Sequence, residues 1–279
     1  FNTCSSLTAI PDNLFKNLSN IEYLDYTFSN CSSLTTIGNN IFSGCTSVTT
    51  VQECFSNCTS MVNTPNNLFT DLYNINIATS LFENCSLLST LGDNMFKNCT
   101  GISDFSTAFS NCSSLTTLGD NIFENCSSIT DINSLFYYNY TSLTTIGNSL
   151  FKNCISLTNI SNLFNGCTSL TTIGTGIFEN CNSISNATSL FNGCTSLTSI
   201  SSNLFNGILS CNFSLVFNEC SALLSIPSAL FTDISSTDLS YAFYNCISLT
   251  GNAPELWVTH SGAYGDNCFT GDTGLDNYA

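Results

Sequence analysis

Apolar residues recur along this chain at fixed long intervals, and Phe sets the ruler. One series is Phe28, Phe55, Phe82, Phe109, Phe136, Phe164, Phe191, Phe217 and Phe243; a second is Phe15, Phe42, Phe69, Phe96, Phe123, Phe151, Phe178, Phe205 and Phe231. Within each series the spacing is 27, with one 28 and late 26s, and the two series interleave at 12 to 15 residues. A period of this length marks a repeat solenoid, in which each coil is too small to bury its own apolar side chains and relies on its neighbours. Each coil therefore has two similar halves, each carrying a Phe turn.

The first half reads like Cys31-Ser-Ser-Leu-Thr-Thr-Ile-Gly-Asn-Asn-Ile-Phe42. Its Leu-Thr-Thr-Ile run suits a brief strand, broken by Gly38, Gly92, Gly119, Gly147 and Gly174, or by Pro11, Pro65 and Pro227 in the same register. The second half reads like Cys126-Ser-Ser-Ile-Thr-Asp-Ile-Asn-Ser-Leu-Phe136 and lacks the breaker. Three residues before each Phe stands a candidate helix N-cap, such as Asp12, Asn39, Asp93, Asp120, Asn133 or Ser161, with Gln52 the poor one. Two residues after Phe stands Asn, Gly or Asp, as at Asn30, Gly44, Asn57, Asn98, Asn125, Gly166 and Gly207, types that tolerate the left-handed conformation ending a helix. The expected fold is a solenoid of short parallel β-strands and single-turn helices, about nine 27-residue coils over residues 1–250. At roughly 4.8 Å per coil it spans on the order of 45 Å, with two internal Phe spines. Gly251-Asn-Ala-Pro254-Glu-Leu-Trp257 breaks the period, so 251–279 is read as a C-terminal cap, with Trp257 as a lid and Phe269 a relic of one more turn.

Composition narrows the function. Lys and Arg together number 3, His 1, and the formal charge is −16. Nucleic-acid backbone binding needs clustered cations, which the chain lacks. Anionic lipid is disfavoured for the same reason, and no apolar run is long enough for a membrane span. The chain starts at Phe1, inside a repeat, and is expected to be a piece of a longer protein whose export signal lies elsewhere.

The cysteines follow the ruler too. Fourteen of the 17 fall three residues after Phe: Cys4, Cys31, Cys58, Cys85, Cys112, Cys167, Cys194, Cys220 and Cys246 in one column, Cys45, Cys99, Cys126, Cys154 and Cys181 in the other. Leu18, Leu72, Ile208, Ile234 and Tyr140 fill the gaps. A position that accepts Leu or Ile for Cys is an apolar packing site. The odd number and unpaired gaps argue against a disulfide framework. Cys54-Phe-Ser-Asn-Cys58 is the one zinc-like spacing, but no second pair or His accompanies it. Cys54, Cys211 and Cys268 stand off the columns as candidate reactive or paired thiols.

Other chemistry is sparse. His260 with Cys246 or Cys268 is the one conceivable nucleophile–base pair, and nothing in the spacing positions it. Asp93 with Asp120, and Asp104 with Asp131, stack in adjacent coils and raise calcium, but the first column is shared with Asn, Thr and Ser, which points to capping. Lys97, Glu124, Lys152 and Glu179 alternate in sign one residue after Phe, as an exposed ion ladder would. The pairs Thr35-Thr36, Thr116-Thr117, Thr144-Thr145, Thr171-Thr172 and Thr198-Ser199 form a polar row; strand alternation lets only one residue of each pair face outward. Asn-x-Ser/Thr matches such as Asn98-Cys-Thr and Asn125-Cys-Ser arise from the repeat itself. No catalytic, cofactor-binding or metal residues are assigned, and ligand-binding residues are unknown.

The segment Leu163 to Ile184 resembles the BspA-like leucine-rich repeats of bacterial surface proteins, through a Phe-x-x-Cys-x-x-Leu-x-x-Ile core seen at Phe28-Cys31-Leu34-Ile37 and Phe164-Cys167-Leu170-Ile173. The resemblance covers about nine-tenths of the chain. It implies a leucine-rich-repeat-like solenoid, exported and surface-attached, in adhesion to host or matrix protein or glycan. Here the coil is longer than the family's, and both halves carry the Phe-Cys motif. The expected function is non-enzymatic recognition through a solenoid face by a monomer; the alternative is a structural spacer displaying another domain. With −16 charge the partner is neutral or basic. Irregular candidates for contact are Tyr23, Tyr26, Tyr137, Tyr138, Tyr140 and the 251–279 segment.

Overall fold

A computed structural model describes residues 1–133, 135–136, 141–232, 234, 236–254 and 264–276. Trp257, His260, Tyr137, Tyr138 and Tyr140 lie outside the described residues. The first-half strands come in register as expected: β1 (Ala9–Ile10) pairs with β2 (Thr36–Ile37). The run β3 (Thr90–Leu91), β4 (Thr117–Leu118), β5 (Thr145–Ile146) and β6 (Thr172–Ile173) forms one parallel sheet. Further along, β7 (Ser210–Asn212) pairs with β8 (Ser236–Asp238), also parallel. Single parallel bridges link the second halves, from Tyr23↔Thr50 to Asp238↔Tyr264.

The core is the double Phe spine. Phe1, Phe28, Phe55, Phe82, Phe109, Phe136, Phe164, Phe191, Phe217, Phe243 and Phe269 stack face to face, with centroids 5.3 to 6.0 Å apart. The second spine runs from Phe15 to Phe178 at 5.0 to 5.9 Å, with Phe205 on Phe231 at 5.8 Å. Stacking suits the aromatic quadrupole only when rings are offset, and these separations lie in that range. Phe269 continues the first spine, and Gly251 bridges to Leu275, so 264–276 adds another half-coil. Leu, Ile and Cys rows fill the space around the rings, nearly all fully buried.

The Phe turns are not helices, and among the described residues there is no helix. Positive φ occurs two residues after Phe, as expected, but also two residues before it: Asn13 and Asn17 around Phe15, Asn94 and Asn98 around Phe96, Asn121 and Asn125 around Phe123. A right-handed helical turn is impossible with left-handed residues on both sides of its centre. Alternate residues do two different jobs instead. The N–H groups of Asn13, Phe15 and Asn17 donate to Asn39, Ile41 and Ser43 of the next coil at 2.9, 3.0 and 2.7 Å, while those of Lys16 and Leu18 close local turns on Asn13 and Phe15. The arch is therefore a chain of β-turns sewn to its neighbour. Left-handed φ falls at the third position of the turns that begin four residues before Phe and at Phe itself, the position for which Gly and Asn are suited.

The N-cap reading changes with it. In the first half the residue three before Phe accepts not from its own coil but from its counterpart in the next: Asn39 N–H to Asp12 Oδ1 at 2.6 Å, Asp93 to Asn66 at 2.8 Å, Asp120 to Asp93 at 2.9 Å, Asn148 to Asp120 at 2.7 Å. The orphan N–H groups exist, but stacking rather than helix capping supplies their acceptors.

The Thr pairs differ from expectation too. Thr35 and Thr36 are both exposed, because both of their N–H groups point at one carbonyl, Thr8 O, at 2.9 and 3.4 Å. Thr144 and Thr145 share Thr116 O, and Thr171 and Thr172 share Thr144 O. Two donors on one acceptor is the pattern of a bulge, which bends the strand and cancels the alternation of a flat pleat. Leu34 and Ile37, three apart, then both point inward.

Candidate functional site

All 17 cysteines are free thiols, and all but Cys4 are buried. Column cysteines have a role beyond packing. Most donate Sγ to the Phe carbonyl of the preceding coil: Cys58 to Phe28 O at 3.2 Å, Cys85 to Phe55 O at 3.2 Å, Cys99 to Phe69 O at 3.1 Å, Cys181 to Phe151 O at 3.0 Å. The Phe28 carbonyl already accepts its local turn bond from Cys31 N–H, so the thiol occupies its second lone pair. Leu and Ile at Leu72 and Ile208 keep the packing and forgo this weak bond. The off-column thiols are neither paired nor accessible. Cys54 and Cys268 stand one residue before Phe, in a row otherwise filled by Leu, Ala, Val216 and Thr27, and Cys211 fills an Ile position in β7. Burial pushes Cys99, Cys211 and Cys268 up to about 12, so thiolate chemistry is suppressed there.

The Asp pairs are committed to the backbone. Asp93 and Asp120 accept the N–H groups of the next coil, Asp104 Oδ1 accepts Ser106 N–H at 2.8 Å, and Asp131 Oδ1 accepts Asn133 N–H at 2.9 Å. Among the described residues no three His, Cys, Asp or Glu side chains converge as a metal site would require. Two rungs of the ion ladder close, Lys97–Glu124 at 2.6 Å and Lys152–Glu179 at 2.9 Å. The first Thr of each outward pair is occupied as well; Thr35, Thr116 and Thr144 Oγ1 each donate to the preceding coil at 3.0 Å. The Asn-x-Ser/Thr matches serve the stack: Asn98 Nδ2 donates to Asp71 Oδ1 at 2.8 Å and Asn125 Nδ2 to Asn98 Oδ1 at 2.7 Å, using the very nitrogen that glycosylation needs.

The opposite face offers more. Five residues before each second-half Phe runs a row of Tyr23, Thr50, Ile77, Asp104, Asp131, Asn159, Asn186, Asn212, Asp238 and Tyr264; parallel pairing links Tyr23 through Asp104 and Asp131 through Tyr264. Six consecutive members are Asp or Asn. Each of these accepts the N–H two residues on, at 2.8 to 3.1 Å, which locks its χ angles, and Asn159 Nδ2 also donates to Asp131 Oδ2 at 2.9 Å. Exposed Tyr23 and Tyr264, at 66% and 74% exposure, stand at the two ends. Tyr26 lies beside the first, and the Glu53 carboxylate holds its phenol above the usual range. Two recesses open on this face. One, of about 250 Å³, lies between Asp104 and Asp131 over Phe105 and Ile132. The other, of about 270 Å³, follows Ser185, Ser210, Cys211, Asn212, Thr237, Asp238 and Tyr264 across four coils.

Sequence reasoning singled out Asp104, Asp131, Tyr23 and the C-terminal segment but not the row that joins them. The signal was present, an Asx residue at one register in six successive coils. It was obscured because Asn and Asp are frequent at several other registers for backbone reasons.

Comparison with known proteins agrees with this architecture. The model of the BspA type leucine rich repeat region matches the chain in six copies, over residues 1–134 and 52–250. No curated protein matches. Solved structures that resemble it loosely include a leucine-rich repeat protein from Bacteroides ovatus (19% identity, 97% of this chain and 81% of that one, TM-score 0.32). Others are a leucine rich cell surface protein from Faecalibacterium prausnitzii (18%, 96% and 87%, 0.31) and an internalin from Listeria monocytogenes (14%, 99% and 88%, 0.28). With the Phe-x-x-Cys-x-x-Leu-x-x-Ile coil stacked in parallel register and matched along its length, the chain belongs to the BspA-type leucine-rich-repeat family.

Proposed function

We propose that this chain is a non-enzymatic recognition module of a cell-surface protein, binding a protein or glycan through the Asx face. The observation that carries the reading is the row of side chains each pinned by one backbone N–H, in which Asp131 and Asn159 also bond each other while Asp104, Asn212 and Asp238 keep a second polar atom beside the two recesses. Preorganised polar groups lower the entropy cost of binding. The −16 charge favours neutral or basic partners, and three cations leave anionic ligands nothing to pair with. Membership of the BspA-type family supports a surface location for this module.

The regularity of the Phe and Asn stacks favours a second reading, a spacer that projects another domain. One experiment separates the two. The purified chain is applied to an array of glycans and extracellular-matrix proteins, beside Asp104→Ala and Asp238→Ala variants. Saturable capture by one ligand class, weakened in a variant, supports recognition at this face. Capture unaffected by both variants moves the site elsewhere, and absence of capture favours the spacer.

A further inference from the structure

The recess at the C-terminal end of the Asx row has a chemistry of its own. Its upper wall is Tyr264, whose backbone is fixed on both sides: Tyr264 N–H donates to Thr237 O at 3.0 Å and Leu239 N–H to Tyr264 O at 2.7 Å. The ring is nevertheless 74% exposed, an unusual state for a large aromatic held by a rigid rung. Next to it stand Asp238, Asn212 and Asn186, one per coil. Asp238 Oδ1 takes Ser240 N–H and Asn212 Oδ1 takes Ser214 N–H, both at 2.8 Å, which leaves Asp238 Oδ2 and the Asn212 amide N–H₂ facing outward. Ser185 and Ser210 add hydroxyls along the same trough.

Several ligand classes fail this chemistry. No Lys, Arg or His lines the trough, so phosphate, sulfate and uronate have no counter-charge. Cys211 is its one apolar side chain besides the ring, and it is buried, so a lipid or aliphatic ligand has too little apolar wall. The trough is instead a floor with a carboxylate acceptor at Asp238, an amide donor at Asn212, serine hydroxyls and one exposed ring, at a repeat of about 5 Å per coil, the same order as one pyranose unit. A sugar has an apolar C–H face for the ring and equatorial hydroxyls that both donate and accept.

We propose that the trough of Ser185, Asn212, Asp238 and Tyr264 is a subsite for a neutral oligosaccharide, with Tyr264 as the stacking platform and Asp238 as the principal hydroxyl acceptor. This rests on the recognition reading above and assigns it a place and a ligand class. The sugar lies along the solenoid axis, with successive units over successive coils. Its affinity is modest, because the trough is shallow and contacts one side only.

The test is saturation-transfer NMR and calorimetry on the full chain with neutral tri- to hexasaccharides of glucose, mannose and N-acetylglucosamine, with an oligouronate as the charged probe. The expected result is transfer to ring C–H protons of one neutral series and none to the oligouronate. Tyr264→Ala weakens binding roughly tenfold or more, while Tyr264→Phe retains it. Asp238→Asn, which keeps the bond to Ser240 N–H, weakens it several-fold, and Asp104→Asn at the other recess has no effect. The Phe and Asn variants keep the proposal testable if Tyr264→Ala perturbs the last coil. Binding of no neutral saccharide, or binding indifferent to both Tyr264→Ala and Asp238→Asn, overturns it. Capture of a matrix protein on the array without saccharide binding sinks this proposal and leaves recognition standing; failure of both removes the recognition reading as well.

Discussion

Three demands meet on the side chain of Asn125. Its backbone holds φ at +65°, its Nδ2 donates to Asn98 Oδ1 at 2.7 Å, and its Oδ1 accepts from Asn153 Nδ2 at 2.7 Å. The ladder continues to Asn180 and starts at Asp71. Gly meets the first demand alone and Ala meets none, so a pair of variants separates them. Asn125→Gly is expected to cost about 1–2 kcal/mol from the lost amide bonds, and Asn125→Ala roughly 1–2 kcal/mol more from left-handed strain; urea midpoints at constant slope measure both. The stop residue was legible from Asn and Gly two positions after Phe. The ladder was not, since it depends on which atoms a stacked amide reaches. The cysteines give a second residue-scale prediction. Native protein treated with a thiol reagent is expected to expose one reactive thiol, Cys4, and all 17 in denaturant. Rapid modification of two or more thiols in the native state would contradict the buried columns.

For the elements, the first-half breaker column shows why strand and arch need different residues at one register. A Cβ on Gly147 would sit 2.3 Å from Gly119 O and 2.4 Å from Gly119 C, so successive coils touch backbone to backbone there. Gly193 has left-handed φ of +70° but nothing nearer than 3.7 Å to an added Cβ. Gly147→Ala is therefore expected to lose about 1–3 kcal/mol or more through overpacking that forces two coils apart. Gly193→Ala pays only the backbone penalty of roughly 1–2 kcal/mol. Thermal melts of the two, with hydrogen exchange at Thr145 and Ile146, distinguish a local sheet opening from a uniform loss. The short strands and their register were readable from Leu-Thr-Thr-Ile and the 27-residue period. The arch was misread as a helical turn because Asn before and after an apolar pair fits both a capped helix and consecutive β-turns. Composition does not tell them apart; the donors of alternate residues, sent to the next coil, do.

For the whole molecule, the C-terminal end carries a titratable liability. Asp272 continues the column of Cys220 and Cys246, is 2% exposed, and neither of its carboxyl oxygens has a hydrogen-bond partner. Burial raises its pKa from 3.8 to about 7, and the nearby Cys246 backbone N–H draws it partway back; the Cys246 and Cys268 thiols are the titratable groups beside it. Protonated, the carboxyl has the donor that its column supplies elsewhere through a thiol. The folded state thus binds the proton more tightly than the unfolded chain. Stability associated with this group is full below about pH 4, falls as pH rises toward 7, and stays at the lower level above. Denaturant titrations of wild type and Asp272→Asn between pH 4 and 8 are expected to diverge, the wild type losing stability across the window and the variant losing less. Parallel curves would show that Asp272 finds a partner in solution. Phe269 stacks on Phe243 at 5.7 Å and packs against the same end, so fraying there reports on the last coil of the spine.

The sequence by itself determined the coil, its parallel register, the two Phe spines, the buried cysteine columns and the family. All of these follow from a period that repeats every side chain at one height, so that burial decides each column in the same way along the stack. Tertiary structure decided what lies between columns. It turned the supposed helix into an arch of left-handed turns, bent both Thr residues outward and redirected cap residues to the next coil. It also assembled Ser185, Asn212, Asp238 and Tyr264 into one trough. Those outcomes depend on where an N–H group finds its carbonyl once coils are in contact. That choice belongs to pairs of residues about 25 to 28 apart in the chain, and no single coil contains both partners.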